Sequence, residues 1–218
     1  MSLKINDLAP NFKASTTLGK IDFYDWVGDS YVVLFSHPKD FTPVCTTELG
    51  AVAQLESEFS MRNTKIIGLS IDPVEDHVQW KSDIKLATGG EVNYPLIGDP
   101  DLSIAKLYGM LPADLNGQAE SRSAADNATV RTVFIIGPDK RIKLNLTYPM
   151  TVGRNFKEIL RVLDSIQLNA RLPLATPEGW QPGDDVVVSP SLSTEDAQKR
   201  FGEVTEVLPY LRFTAQPN

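Results

Sequence analysis

Residues 37–48 read HPKDFTPVCTTE and contain the only cysteine of the chain, Cys45. A lone thiol becomes a nucleophile when it is ionised, and its neighbours decide whether that happens. Residues 42–45, TPVC, have the spacing of a Cys-x-x-Cys pair with threonine in place of the first sulfur, which excludes dithiol exchange. The Thr42 hydroxyl can still hydrogen-bond to a small oxygen-bearing substrate. The stretch therefore indicates single-thiol chemistry on a small polar molecule.

The elements on either side of this stretch are expected to place the thiol at the start of a helix. YVVLFS (31–36) is typical of a buried strand, and residues 46–59 carry apolar side chains at helical spacing. In the first turn of a helix, unpaired backbone N–H groups and the helix dipole favour an anion, so Cys45 tends towards thiolate there. The position of Cys45 by itself does not exclude the alternative that this cysteine is only a small buried apolar residue.

The rest of the chain predicts an α/β fold. Apolar runs at 65–71 and 132–137 complete a sheet with a hairpin, and residues 154–168 form an amphipathic helix. Strand, helix, strand, helix, hairpin, helix is an α/β order. After Asn169, prolines interrupt short apolar pieces. We therefore predict a main domain at 1–169, a C-terminal arm or small domain at 170–218, and an exposed loop at 111–129.

Composition limits the partners and the compartment. The 218 residues carry a net charge of -7 and show no compact basic stripe, which argues against nucleic acid and against stable membrane association. One cysteine and two histidines argue against a Cys/His zinc site, so no metal is expected. The N-terminus has no pattern of an export or import signal, and we expect a cytoplasmic protein.

The chain resembles the peroxiredoxin family at these residues. Pro38-x-x-x-Thr42-x-x-Cys45 matches the active-site pattern of the family, and PVCTTE is similar to its 1-Cys, peroxiredoxin-6-type subgroup. APNF precedes this motif, and YPMTVGRNFKEIL and ATPEGWQPGDDVVV follow it, all in the family's order. The resemblance implies a thioredoxin-like core, a central mixed sheet flanked by helices, with a C-terminal extension. It also implies a cofactor-free thiol peroxidase that reduces hydrogen peroxide and organic hydroperoxides, with lipid hydroperoxides as candidates.

The resemblance further implies a set of site residues and a reaction course. The catalytic residues are Cys45, Thr42, Arg131 and Pro38, and the supporting residues are His37, Glu48 and Arg154. Cys45 would become a sulfenic acid that an external thiol or other reductant reduces. A more acidic thiol is also a weaker nucleophile, so most of the rate must come from positioning the peroxide and stabilising developing charge.

Each implied role has a structural alternative. Thr42 could be only an N-cap and Pro38 only a turn former. A rigid Pro38 ring over the sulfur would also shield the sulfenic acid from further oxidation. Glu48 could anchor Arg131 or Arg154 by a carboxylate–guanidinium pair, or only complement the helix N-terminus. The resemblance places His37 near the sulfur, but packing at a strand end is its alternative.

Two other functions and an assembly state complete the expectations. A redox sensor or holdase would use Cys45 only to report oxidation, and peroxide turnover separates it from an enzyme. A phospholipase would use Ser30 and Asp139 as members of a Ser-His-Asp set. Tyr24 stands where the histidine of that set belongs, and Val32 replaces the second glycine of the nucleophile elbow. We therefore do not favour this function. The resemblance implies a homodimer, with higher oligomers left open, in which the C-terminal arm clasps the partner subunit.

Overall fold

The computed structural model describes residues 3–113 and 128–217. Most of the predicted loop at 111–129 lies outside these residues. The chain divides into two compact units, Met1–Phe156 and Lys157–Asn218. The predicted boundary after residue 169 falls inside the helix at this junction, and a separate domain at 170–218 stays a prediction.

The helices and strands alternate along the first unit and continue into the second. The strands are β1 (Lys13–Thr16), β2 (Gly19–Asp22), β3 (Tyr31–Ser36), β4 (Thr64–Ser70), β5 (Leu96–Gly98), β6 (Arg131–Ile136), β7 (Ile142–Tyr148), β8 (Leu174–Ala175), β9 (Val186–Val188), β10 (Val204–Leu208) and β11 (Leu211–Thr214). The helices are α1 (Phe23–Val27), α2 (Pro43–Gln54), α3 (Glu56–Met61), α4 (Val74–Thr88), α5 (Ser103–Leu107), α6 (Phe156–Arg171) and α7 (Thr194–Phe201).

Within the described residues, the first unit is built on a seven-stranded sheet in the order β2-β1-β5-β4-β3-β6-β7. β3 pairs with β4 in parallel and with β6 antiparallel, so the sheet is mixed. Val32, Val33, Leu34 and Phe35 of β3 are fully buried, as expected for a strand covered on both faces. The predicted α/β class with a central mixed sheet flanked by helices is confirmed. The carboxyl end of β3 leads directly into the loop that precedes Cys45.

The helix predicted over residues 46–59 is divided into α2 and α3. The division lies at Leu55, whose backbone N–H is shared between the carbonyls of Ala51 and Val52 at 3.2 and 3.0 Å. Such sharing tightens the last turn of α2 towards 3₁₀ geometry. α2 also begins earlier than predicted, at Pro43, because proline needs no hydrogen-bond partner in the first helical position. Cys45 therefore lies inside the first turn of α2.

The dipeptide Asp72-Pro73 predicts that Asp72 caps α4 and that Pro73 is its first residue. The structure instead has Pro73 in the N-cap position, so α4 begins one residue later than expected and Asp72 does not cap it. The Asp72 carboxylate instead accepts hydrogen bonds from the backbone N–H of Asp40 at 2.9 Å and from the Ser70 hydroxyl at 2.8 Å. Asp72 thus fastens the loop before Cys45 to the end of β4.

Within the described residues, the second unit contains a four-stranded sheet in the order β10-β11-β9-β8. Its own apolar core includes Leu168 of α6, the indole of Trp180, and Val186 and Val188 of β9. The buried Arg212 guanidinium donates to the carbonyls of Ser189 and Leu192. No helix among the described residues of either unit combines the length and apolar character needed to span a bilayer.

Candidate active site

The backbone places Cys45 at the third position of α2, after the N-cap residue Thr42. The side chain of Cys45 is fully buried, and its thiol is free. The chain enters the helix through Phe41, whose φ of 55° lies in the left-handed region that residues other than glycine rarely adopt. The Phe41 ring lies against Trp80, with 6.1 Å between centroids. This contact supports the turn that aims the first turn of α2 at the sheet.

Arg131 brings its guanidinium to the sulfur from the start of β6. Its Nη1 lies 3.4 Å from Cys45 Sγ and 2.5 Å from Glu48 Oε2. Its Nε donates to the Met150 carbonyl at 2.8 Å, which fixes the plane of the group. Arg131 is 2% exposed, so little solvent screens its charge. The structure therefore joins Cys45, Glu48 and Arg131, and it contains the carboxylate–guanidinium pair considered for Glu48.

Arg154 holds the other side of the Glu48 carboxylate. Its backbone N–H and Nε donate to Oε1 at 2.7 and 2.9 Å, and its Nη2 donates to Oε2 at 2.8 Å. Its Nη1 reaches the carbonyls of Ser36 and Thr132 at 2.8 and 3.1 Å. The guanidinium also lies over the ring of Phe35 at 5.3 Å. Glu48 is thus fixed by several charge-assisted bonds and cannot rotate away from Arg131.

The charges of this network leave a positive surplus at the sulfur. Burial alone would raise the pKa of Glu48, but the hydrogen bonds and charge of Arg154, with the charge of Arg131, outweigh burial and hold that pKa below its usual value. Glu48 is therefore a carboxylate at neutral pH. Among the described residues, the network joins two guanidinium groups to one carboxylate. A thiolate at Cys45 would balance the remaining charge.

We expect Glu48→Gln to destabilise the protein by about 3 kcal/mol, because it leaves two buried guanidinium groups facing a neutral amide. The folded-state pKa of Glu48 is lowered, so its stabilisation is present above the unfolded pKa and is lost as pH falls through the folded pKa. Urea unfolding at neutral pH and at acidic pH measures both effects. The difference between variant and wild type should shrink in acid.

Glu58→Gln is the matched control for this substitution. Glu58 forms an ion pair with Arg62 at 2.9 Å, but its side chain is 44% exposed. An exposed pair one turn apart contributes only about 0.5 kcal/mol. Equal losses of stability in the two variants would contradict the buried charge network described for Glu48.

Thr42 and Pro38 lie in the loop that leads to α2. The Thr42 hydroxyl is partly exposed and donates to the Lys39 carbonyl at 2.9 Å, and it makes no capping bond to the backbone of α2. Thr42 therefore holds the N-cap position that its structural alternative gives it, through its backbone and not through its side chain. Pro38 is buried. The catalytic roles of both residues stay predictions.

His37 belongs to a different hydrogen-bond cluster. Its Nε2 lies 2.7 Å from Asp40 Oδ1, and Asp40 Oδ2 lies 2.5 Å from Nδ1 of His77. In the described part of the chain, no hydrogen bond joins the His37 ring to Cys45 or Arg131. From the sequence, His77 is expected to be a structural residue of its helix, and Asp40 carries no prediction. The i, i+3 spacing of His37 and Asp40 was visible, but the contact with His77 spans 37 residues.

The same cluster has the residue types of a metal centre. The ligand atoms of His37, Asp40 and His77 lie within 4.8 Å of one another, close enough to share an ion. However, two ligands of one tetrahedral zinc ion are about 3.3 Å apart, because each metal–ligand bond is about 2.0–2.1 Å. The contacts of 2.5 and 2.7 Å are hydrogen-bond lengths. We therefore assign the cluster to hydrogen bonding.

The hydrolase set has no geometric basis. Ser30 donates to the side-chain oxygen of Asn63 at 3.0 Å, and Asp139 pairs with Lys143 at 2.6 Å. Tyr24, at the place of the missing histidine, donates to the Ala9 carbonyl at 2.5 Å. None of these contacts activates the serine, which agrees with the expectation against a phospholipase.

Two family models match the chain. The AhpC/TSA family matches residues 5–145, which include the Cys45–Glu48–Arg131 network. The C-terminal domain of 1-Cys peroxiredoxin matches residues 165–203. The first match lies within the first compact unit, and the second match lies within the second compact unit.

Relatives that match nearly the whole chain share about half of its residues and the same fold. Peroxiredoxin-6 of Rattus norvegicus is 51% identical over 225 residues, which cover 99% of this chain and 98% of the relative. A cysteine-to-serine mutant of the peroxiredoxin 6 of Arenicola marina superimposes with a TM-score of 0.89 at 47% identity, covering 100% of both chains. A yeast mitochondrial 1-Cys peroxiredoxin, solved to explain its thiol resolving mechanism via glutathione/thioredoxin systems, gives a TM-score of 0.86 at 50% identity and covers 98% of this chain and 99% of its own.

Proposed function

Because this chain belongs to the peroxiredoxin family, as a 1-Cys member and thiol-dependent peroxidase, we propose that Cys45 is the thiol that attacks the peroxide. One observation carries the assignment: the Arg131 guanidinium lies 3.4 Å from Sγ and is itself fixed by Glu48. A fixed, buried positive charge favours the thiolate and lies where negative charge develops on the peroxide. The assay that tests it is peroxide consumption by Cys45 variants with a thiol present.

The first step transfers one oxygen atom to the sulfur. The thiolate lone pair attacks the nearer peroxide oxygen, the O–O bond breaks, and its electron pair leaves with the other oxygen as hydroxide or alkoxide. Cys45 becomes a sulfenic acid, and the leaving oxygen takes a proton from water. Negative charge moves from sulfur to oxygen during this step, so Arg131 can follow the charge without a change of position.

Thr42 orients the peroxide in this proposal. Its hydroxyl proton is committed to the Lys39 carbonyl, so the oxygen meets the substrate as a hydrogen-bond acceptor. A peroxide O–H can donate to that oxygen while the other peroxide oxygen faces the guanidinium. The buried Pro38 ring lowers solvent access to the sulfur and slows a second oxidation. His37, the residue before Pro38, supports the loop through its contact with Asp40.

The second step needs a reductant from outside the chain, because Cys45 is the only cysteine. A thiol attacks the sulfenic acid, water leaves, and a mixed disulfide forms. The yeast structure concerns resolution via glutathione and thioredoxin systems, and we propose the same class of thiol reductant here. No observation favours the sensor or holdase alternative over turnover.

We expect one equivalent of peroxide to add one oxygen to Cys45, and an excess to add two or three. An added low-molecular-weight thiol should capture the first species as a mixed disulfide. Intact-mass spectrometry after rapid quenching follows all these products.

A non-reducing gel provides the complementary measurement. The sulfur is buried within its own chain, so a Cys45–Cys45 bond between two copies would require local unfolding. Rapid and quantitative covalent dimerisation at stoichiometric peroxide would contradict the 1-Cys cycle proposed here.

A homodimer is proposed as the working assembly. In the described residues, β7 pairs with β6 on one side, and on its outer side the backbone of Ile142 is bonded to Asn6 and Asp7. The rest of this outer edge, after Ile142, is the kind of surface that a second copy can extend. Met150 and Val152, which follow β7, are 38% and 43% exposed and would be covered by such pairing. Sedimentation should give twice the 24.0 kDa chain mass. A monomer at micromolar concentration would reject the proposal.

The cytosol is the proposed location. A single unpaired thiol that must be reduced after each cycle suits a compartment rich in reduced thiols. Cell fractionation with an antibody to the protein tests this, and exclusive recovery in an organelle would contradict it.

A further inference from the structure

Three chain segments surround the network of Cys45, and we call them the rim. Thr129 donates to the carbonyl of His37 at 2.7 Å, and the carbonyl of Met150 accepts from Arg131 at 2.8 Å. These contacts join two later segments to the loop and helix turn that carry the sulfur. The rim consists of residues 37–47, 128–130 and 148–153. A second substrate meets this rim on its way to the buried sulfur.

The rim carries a single exposed charge. Lys39 and Asp40 are the only residues of these three segments with a lysine, arginine, aspartate or glutamate side chain. Asp40 is 3% exposed, and both of its oxygens are engaged by His37 and His77. Lys39 is exposed, and in the described part of the chain no carboxylate pairs with it. The Lys39 ammonium is therefore available to an anion from solution.

The backbone on both sides of this ammonium is fixed. The Lys39 carbonyl accepts from the Thr42 hydroxyl, and the next backbone N–H, that of Asp40, donates to the Asp72 carboxylate, each at 2.9 Å. Thr42 precedes Cys45 by three residues, a rise of about 5 Å along α2. The flexible side chain of Lys39 therefore moves about an anchored point that is on the order of 10 Å from the sulfur.

The charge of the site changes when the sulfur is oxidised. In the reduced protein, a thiolate at Cys45 balances the surplus positive charge of Arg131, Arg154 and Glu48. The first step leaves a neutral S–O–H group, and the departing hydroxide or alkoxide removes the negative charge. In the described part of the chain, no second carboxylate pairs with either arginine. The oxidised site is therefore positive both beside the sulfur and at the rim.

This change of charge distinguishes the two substrates of the cycle. Hydrogen peroxide is neutral, so an exposed charge at the rim has little effect on its approach. A thiol that carries carboxylates is an anion, and the net charge of -7 on the whole chain repels it at long range. A positive rim and a positive oxidised site offset this repulsion locally, at the stage of the cycle when the thiol must enter.

We propose that the oxidised site selects an anionic low-molecular-weight thiol, and that Lys39 is the rim residue that binds a carboxylate of this thiol. The inference rests on the proposed function of Cys45 and names the chemical class of its reductant. The thiol loses its proton, its sulfur attacks the Cys45 sulfur, and the S–O bond breaks. The departing hydroxide takes up that proton to give water, and a mixed disulfide remains. Lys39 holds the carboxylate and takes no part in the exchange of bonds.

Two forms of one tripeptide thiol test this selection. Glutathione has a net charge of about -1 at neutral pH, whereas its diethyl ester keeps the peptide backbone and thiol but has a net charge of about +1. Protein treated with one equivalent of peroxide is mixed with each thiol at an ionic strength of ~0.01 M, where charges act over ~30 Å. Rapid-quench mass spectrometry gives the two rates of mixed-disulfide formation. Their ratio is the readout, because a general loss of activity cancels in it.

Removal and reversal of the Lys39 charge should change this ratio in steps. Lys39→Gln should lower the glutathione rate relative to the ester rate by about threefold, and Lys39→Glu by about tenfold, as expected for contacts between exposed charges in water. The wild-type ratio should fall towards that of Lys39→Gln in ~0.5 M salt, which screens such contacts. Lys20→Gln is the matched control, because it makes the same charge change at an exposed position of the edge strand β2.

The outcomes separate this inference from the proposed function. If both Lys39 variants capture the two thiols in the wild-type ratio, Lys39 does not select the thiol, and the role of Cys45 is unaffected. An equal fall of the ratio in Lys20→Gln would also overturn the inference, since the effect would then belong to the charge of the whole chain. If the wild type forms no sulfenic acid at Cys45, the proposed function is wrong and the inference falls with it.

Discussion

Cys45→Ser is expected to lower peroxide consumption by on the order of 10⁵-fold, to the rate without enzyme. A serine hydroxyl stays protonated at neutral pH even beside the Arg131 guanidinium, and its oxygen is a poor nucleophile towards a peroxide oxygen. The network of Glu48 with its two arginines does not depend on the sulfur. Peroxide loss in the presence of a thiol measures the activity.

The same variant should keep its fold, which separates chemistry from stability. Its urea midpoint should lie close to that of the wild type, since serine and cysteine are similar in size. Thr47→Ser, at an exposed position two residues further along α2, is the control for a conservative substitution in the same helix. A Cys45→Ser protein that still consumes peroxide near the wild-type rate would remove Cys45 from the mechanism.

Arg131→Met is expected to slow sulfenic acid formation by about 10³-fold, because it removes both the charge that favours the thiolate and the donor aimed at the peroxide. Arg131→Lys should recover only part of the rate. An ammonium supplies a point charge. It cannot contact the Met150 carbonyl, the Glu48 carboxylate and the Cys45 sulfur at the same time, as the planar guanidinium does. Rapid-quench mass spectrometry of Cys45 gives the rate of this step.

The lysine variant carries the discriminating result. Full activity in Arg131→Lys would show that charge alone suffices and that the guanidinium geometry is unnecessary. Arg141→Met is the matched control, because Arg141 is an exposed residue that bonds the Asn6 carbonyl. A comparable loss in the control would point to a general electrostatic effect instead of one at the site.

The local part of the site was predictable from sequence, and the long-range part needed the resemblance. TPVC and the strand before it place a thiol in the first turn of a helix, and Glu48 follows at i+3 on the same helix. Arg131 lies 86 residues further on, so no periodicity indicates that it reaches the sulfur. Only family likeness singled out Arg131 and Arg154. The sequence did not indicate Asp40, because its contact with His77 of α4 joins residues that are 37 positions apart.

The fold shows the same division between local and non-local information. β3 and β6 are recognisable because each is an apolar, β-branched run within a few residues of its observed limits. The break at Leu55 was missed, since the apolar spacing continues across it without a glycine or proline. The cap of α4 was misplaced because Asp72 is engaged by Asp40, a partner that the local sequence does not reveal.

The position of Trp80 has an optical consequence. Its indole is 1% exposed, and its ring lies 5.5 Å from His37 as well as against Phe41. Indole emission responds to nearby charge, so a proton gained or lost by His37 changes the fluorescence of a buried chromophore without any added label. Phenylalanine in place of the other two tryptophans, Trp26 and Trp180, removes their emission. The single remaining emitter then reports changes of charge beside the loop in real time.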